Sequence, residues 1–431
     1  MGQSATAERQ FLSPGARHYA LFVLVFVYTF NFIDRQILSI LIEPIKLELG
    51  VSDQAMGFLA GFAFAAFYAT MGIPIALWAD RGNRRNLIAW ALAIWSAMTA
   101  VSGLAQNYWH LALARIGVGV GEAGCSPPAH SLISDYYPPQ QRATALGIYS
   151  LGIPFGIMFG LLAGGWVNEF FGWRMAFFVV GVPGILLALV VRFTLVEPER
   201  GLSENRVADQ DRPSIKRTFF FLSRRRSFIH LAFGAALAAF SGYGVATWFP
   251  AFLVRTHGMT TGEIGTWLGL ILGIPGGIGI FLGGYLADRL GSTNPSWSLW
   301  TAGLAALVAL PFAVAVYFFD NAGWALLVFC VPVVLGNFYQ ATTFAQTQSL
   351  VGLRMRGVAA AILLFIINII GLGAGPWALG AVSDLLVPLY GDDSLRWALA
   401  IFALLNLWVA VHYYLAGRHL PADLKRAGDP V

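Results

Sequence analysis

Charged side chains are scarce in this sequence. They make up 11% of its 431 residues, against about 25% in an ordinary soluble domain. With 57% apolar residues and 48 glycines besides, that scarcity excludes a soluble globular enzyme, a disordered chain and a nucleic-acid binder. Cysteine is almost missing. Cys125 and Cys330 both lie in apolar runs, so neither a disulfide framework nor a zinc cluster can be built. No Gly-x-x-x-x-Gly-Lys-Ser/Thr stretch occurs, which excludes an ATP-driven pump. No nucleophile–base pair or phosphate loop stands out either. An enzyme is not expected, and no cofactor beyond protons as a coupling ion.

What the chain has is long apolar runs. A membrane-crossing helix needs about 20 mostly apolar residues. Twelve such spans are read at roughly 17–42, 54–79, 86–105, 109–134, 143–167, 174–196, 228–253, 262–287, 296–319, 323–350, 356–383 and 394–416. The expected fold is an all-α membrane protein of twelve transmembrane helices in two six-helix pseudo-symmetric bundles. Residues 1–196 form the first bundle, 197–227 a polar linker and 228–431 the second. The first span runs into Asn31, Asp34 and Arg35 rather than a small-residue cleavage site, so it does not read as a signal peptide. Met1-Gly2-Gln3-Ser4-Ala5-Thr6 fits the loose myristoylation pattern, but a twelve-span protein gains little from one acyl chain.

Lysine and arginine placement sets the orientation. Twenty of the 27 fall in the terminal, central and alternate loops on one side; four, Lys46, Arg174, Arg255 and Arg396, fall on the other. Both termini and the linker are therefore expected on the cytoplasmic side of the cell membrane, in a multi-pass and monomeric protein.

The chain also repeats itself. Ala79-Asp80-Arg81 ends the second span and Ala287-Asp288-Arg289 ends the eighth, 208 residues later. Parallel six-helix repeats are one of the known transporter plans. Taken singly, Asp80-Arg81 reads as an ordinary helix stop with a positive flank. Two copies at matching ends point to a structural role, such as a latch that breaks as the halves rock. Arg84 and Arg85 extend the first copy.

The stretch Ala76 to Arg85 resembles the signature loop of the major facilitator superfamily, departing from it at Ala76 and Asn83. The second copy lacks the trailing basic pair. Within that superfamily three stretches look like the spinster branch of lipid transporters: Asn31-Phe32-Ile33-Asp34-Arg35, the run from Arg115 to Ala123, and Ile153-Pro154-Phe155-Gly156. The resemblance implies the twelve-span fold, pairing of spans five and eight across the interface of the halves, and a coupling role for the matching carboxylates and arginine.

Glycines recur every four residues at Gly152, Gly156, Gly160 and Gly164 on span five, and at Gly265, Gly269, Gly273 and Gly277 on span eight. Such stripes let helix backbones approach closely, and the two are expected to meet as a seam where the halves rock. The run Gly119-x-Gly121-x-x-Gly124 lies inside an apolar helix with no strand before it, so it is not a dinucleotide fingerprint.

Ionisable groups inside the membrane are costly and functional by default. Asp34 and Arg35 on span one and Arg115 and Glu122 on span four place them in the first half. At about 1.5 Å per residue, Asp34 lies roughly 13 Å and Arg115 roughly 9 Å below the outer surface, with Glu122 roughly 20 Å below it. Arg115 and Glu122, two turns apart, share a face. A static salt bridge is one reading; proton coupling by Glu122 and Asp34, with Arg115 as their partner or the substrate's, is the other. Arg35, about 100° from Asp34 around the helix, is expected to face headgroups or the outer cavity. Asn337, Tyr339 and Gln340 on span ten are too polar to face lipid and are expected to line a cavity. Tyr243, Trp248, Asn368 and Trp377 are weaker candidates.

The expected function is proton-coupled, alternating-access transport of an amphipathic lipid-like substrate. An organic-anion or drug carrier, or a non-coupled lipid flippase or receptor on the same fold, is the alternative. Beyond its substrate the expected partners are membrane lipids, and no nucleic acid.

Overall fold

The computed structural model describes residues 13–79, 81–198, 214–352 and 355–426. These residues form helices and connecting turns, with no strand among them. Twelve helical passes follow one another. Nine stretches are long and apolar enough to cross a membrane on their own, and the last of these, Arg356–Lys425, contains two passes. Spans three and four, at Arg84–Ser102 and Tyr108–Tyr136, complete the set; Arg84, Arg85, Arg115, Glu122 and Asp135 dilute their apolarity.

The passes start on side-chain caps. Ser13, Ser52, Asn83, Asn107, Thr260 and Asn321 each accept a bond from a backbone N–H of the first turn, satisfying donors that a helix start leaves open. Among the described residues the four with positive φ are glycines, Gly50, Gly172, Gly258 and Gly391. They make the turns after spans one, five, seven and eleven, all at the end of the molecule away from the termini. That end is called the far end below, and the other the terminal end.

Several passes are broken near their middle. Span two divides at Gly61 into Asp53–Ala60 and Phe62–Ala79, because Gly61 rests on the Gly373 carbonyl and a side chain there would overlap it. Span four divides after Glu122, and its second piece, Ser126–Tyr136, starts on a proline. Span ten divides between Gly336 and Tyr339. Span eleven unwinds into a π-helix over Ile367–Ala374, a form concentrated at functional sites. Non-helical backbone at membrane depth is tolerated only when buried in protein or beside a cavity, so these breaks mark the interior face of each half.

Candidate functional site

The break in span four puts Glu122 at the end of a helix, deep in the first half. Its Oε2 accepts from Arg35 Nε at 2.6 Å. Arg35 therefore does not face headgroups or an outer cavity, as its angle on the helix implied; its length lets it swing inward to the nearest carboxylate. Three aromatic rings hold it there, Tyr68 at 4.5 Å, Phe32 at 5.0 Å and Phe64 at 5.1 Å from the guanidinium carbon.

Arg115 lies at the depth of Asp34 and donates from Nη1 to the Asp34 backbone carbonyl at 3.1 Å. It does not pair with either carboxylate. Its guanidinium carbon also lies over the Phe64 ring, 5.6 Å from the ring centre. The Asp34 side chain turns instead toward span three, where Trp95 and Thr99 flank it without reaching hydrogen-bond geometry. Neither Asp34 oxygen, nor Glu122 Oε1, nor the Asn31 amide makes a well-formed hydrogen bond among the described residues, although Asn31 lies beside Glu122. The cluster thus holds two cations and two carboxyls but one direct ion pair. Arg35 keeps 16% of its side chain exposed, whereas Arg115 is 1% exposed. Arg35 is the more accessible of the two arginines.

Tyr243 of span seven comes within electrostatic reach of Arg35 and Tyr68, and Tyr339 of span ten lies next to Tyr243. The structure thus joins the charged wall of the first half to two phenols of the second. Asn337 and Gln340 bond each other, Gln340 Nε2 to Asn337 Oδ1 at 2.7 Å, which satisfies their amides without lipid contact. Asn368 sits in the π-helix, half-buried. Trp248 is not a lining residue. It is wholly buried, and its Nε1 donates to the Pro376 carbonyl at 2.8 Å; the packing of spans seven and eleven consumes it. Trp377 meets Phe62 edge-on at 5.8 Å, across the two halves.

At the far end the halves are locked together. Arg255 of span seven grips Asp53 with both terminal nitrogens at 2.8 Å and Glu43 of span one with Nε at 2.8 Å. Lys46 adds a bond to Asp53 at 2.6 Å, and Ser383 of span eleven another at 2.7 Å. Asp384 accepts from the backbone N–H groups of Asp53 and Gln54 at 3.1 and 2.8 Å, so a residue of the second half caps a helix of the first. Sequence reasoning missed this lock. The available signal was Arg255, one of four cations on the side where cations are rare.

The glycine stripes divide differently from expectation. Gly152, Gly156, Gly160 and Gly164 pack on span one, against Tyr28, Phe32, Ile33 and Ile40. They lie inside the first half, not at the seam. Neighbouring positions are about 100° apart on a helix, and it is Met158, Leu161 and Gly165 that face span eight. The span-eight stripe does line the interface. Gly265 rests on the Leu161 carbonyl, Gly269 would place a Cβ 3.0 Å from the Met158 carbonyl, and Gly273 3.7 Å from Met158; Gly277 has nothing within 4 Å. The contact loosens along the stripe, whose positions turn about 40° with each step.

At that end the repeated motif binds within a half rather than between halves. Arg84 is buried, donating to Asp135 at 2.5 Å, Ser131 at 2.8 Å and Glu197 at 2.7 Å. The Arg85 N–H donates to Glu197 at 2.8 Å. These contacts tie spans three and four to the chain leaving span six. Arg81, Asp288 and Arg289 are exposed, with Arg289 reaching its own helix's Tyr285 at 3.4 Å. Asp80 lies outside the described residues.

A family model described as Major Facilitator Superfamily matches residues 24–376. A protein of Mycolicibacterium smegmatis named as an MFS-type efflux pump is 36% identical over 406 residues, 94% of each chain. Human protein spinster homolog 1 is 28% identical over 405 residues, 86% of this chain and 74% of its own. Among solved structures, a bacterial homolog of the human lysosomal transporter Spinster, inward-facing and unoccupied, is 32% identical with a TM-score of 0.89. The match covers 96% of this chain and 99% of that one.

Proposed function

The chain belongs to the major facilitator superfamily, with spinster proteins among its relatives, and from that premise we propose that it is a proton-coupled, alternating-access transporter of an anionic, amphipathic, lipid-like substrate. The observation that carries this reading is the Arg35–Glu122 pair. It is a buried ion pair whose arginine is the more accessible of the cluster's two, set among aromatic rings and within electrostatic reach of Tyr243 in the other half. A guanidinium binds carboxylate or phosphate through its planar fork, and the rings beside it suit the apolar part of the same molecule.

Coupling follows from competition for Arg35. While Glu122 is ionised it holds the guanidinium. A proton on Glu122 removes that competitor and leaves Arg35 to an anionic head. Asp34, whose carboxyl makes no well-formed hydrogen bond among the described residues, is the second proton acceptor, and Arg115 fixes the backbone that carries it. The closed far end supports a conformation open at the terminal end, as does the likeness to the inward-facing solved structure. With the termini placed in the cytoplasm by the arginine count, this is the inward-open state in the cell membrane.

The alternative is a carrier of compact organic anions or drugs, which the name of the mycobacterial relative favours. Purified protein in liposomes, with and without a pH gradient, separates the two. Gradient-dependent uptake of a lysophospholipid in preference to a hydrophilic dicarboxylate supports the lipid reading; the reverse preference supports the alternative. Equal uptake with and without the gradient removes the coupling.

A further inference from the structure

The nine-residue helix Ile215–Ser223 precedes span seven at the terminal end and takes no part in the transport site. Its inner face is buried: Thr218 is enclosed, and Phe221 and Leu222 join the apolar cluster that holds Phe228, Met355 and Leu420 at spans seven, eleven and twelve. Its outer face is apolar too. Ile215, Phe219 and Phe220 are 57%, 47% and 53% exposed, and Lys216 lies between the two phenylalanines around the helix.

The surroundings of this face are cationic. Lys216, Arg224, Arg226, Arg356, Lys425 and Arg426 are all exposed. They belong to segments drawn together by the same apolar cluster and by the bond from Arg225 to the Arg426 carbonyl. The one carboxylate described among them, Asp423, is buried and taken by the N–H and hydroxyl of Ser227 at 2.9 and 2.7 Å.

We propose that this helix is an interfacial anchor that docks on the acidic phospholipids of the leaflet at the terminal end, its phenylalanines among the acyl chains and its cations on the phosphates. An exposed aromatic face rimmed by lysine and arginine is the composition of a helix lying in the membrane plane. Position agrees, since the helix leads directly into a membrane-crossing span. An acidic protein partner would satisfy the cations but not place three apolar side chains against a face that already borders the bilayer. The helix packs on the starts of spans seven and eleven, the two spans whose other ends carry Arg255, Ser383 and Asp384. Docking therefore fixes, to one leaflet, the half of the molecule that must move when the far end unlocks.

The test is lipid retention, which needs no transported substrate and so stands apart from the transport reading. Full-length protein is equilibrated in bilayers of phosphatidylcholine and phosphatidylglycerol. The lipids that remain bound after extraction are then counted by native mass spectrometry. Each basic residue near an anionic surface strengthens association about fivefold. Wild type should retain phosphatidylglycerol in preference to phosphatidylcholine. The exposed-site variant Lys216→Ala/Arg224→Ala/Arg226→Ala should lose at least about fivefold of that preference, with its melting temperature in detergent unchanged. Phe219→Ser/Phe220→Ser should lower retention of both lipids. A preference that survives in the triple variant, or is absent in wild type, overturns the proposal.

Discussion

The two arginines of the charged cluster, Arg35 and Arg115, have separate tasks, set by what each touches. Arg35 meets a carboxylate and keeps some exposure; Arg115 meets a backbone carbonyl and is closed in. Lysine in place of arginine keeps the charge but loses the fork. Arg35→Lys should weaken substrate binding roughly tenfold, the worth of one charge-assisted hydrogen bond. Arg115→Lys should bind with near wild-type affinity but melt at a lower temperature, because a buried cation loses its anchoring donor. Titration of both variants with a lysophospholipid, beside their melting curves, checks this; equal affinity losses would merge the two roles. The sequence picked out all four ionisable residues, since charge inside an apolar run is conspicuous. It did not show which arginine meets which carboxylate. That depends on side-chain reach and on the break after Glu122, and neither leaves a mark in residue order.

Among elements, the passes were legible and their breaks were not. Apolar length locates a span from the sequence alone. Whether it stays helical in the middle depends on what crosses it, as Gly61 against the Gly373 carbonyl demonstrates. The stripes make the same point: four-residue spacing marks a packing face but does not name the partner. Leucine at Gly156 would strike Phe32 and the Thr29 carbonyl inside the first half. Gly156→Leu should therefore destabilise the fold by about 1–3 kcal/mol, visible as a lower melting temperature. Gly269→Leu meets the Met158 carbonyl at the interface and should leave melting nearly unchanged while slowing turnover. A Gly156→Leu protein that melts normally yet fails to cycle would put its stripe at the moving seam after all.

For the whole molecule, access is governed at two ends by different chemistry. The far end closes through a buried ion network, whereas at the terminal end the described contacts of the repeated motif stay within each half. The repeat predicted a latch at the terminal end, whose Asp80 lies outside the described residues; the described ion network between the halves lies at the other end. Truncating one partner of a buried charge pair costs about 2–5 kcal/mol, a large part of what moves a two-state equilibrium. Arg255→Gln leaves Asp53 its Lys46 partner and should shift the population toward far-end opening. Spin labels at Leu47 and Leu389, both exposed at that end, would report it as a longer distance component, in a background with Cys125 and Cys330 replaced by alanine. An unchanged distance distribution would mean that the network does not hold the halves. Behind both gates stands the competition of Glu122 and substrate for Arg35. Its most direct measurement compares gradient-driven uptake with substrate exchange for wild type and Glu122→Gln in the same liposomes. Glutamine mimics the protonated carboxyl, so the variant should keep exchange and lose the response to the pH gradient. A Glu122→Gln protein that still accumulates substrate down a proton gradient as wild type does would contradict the account.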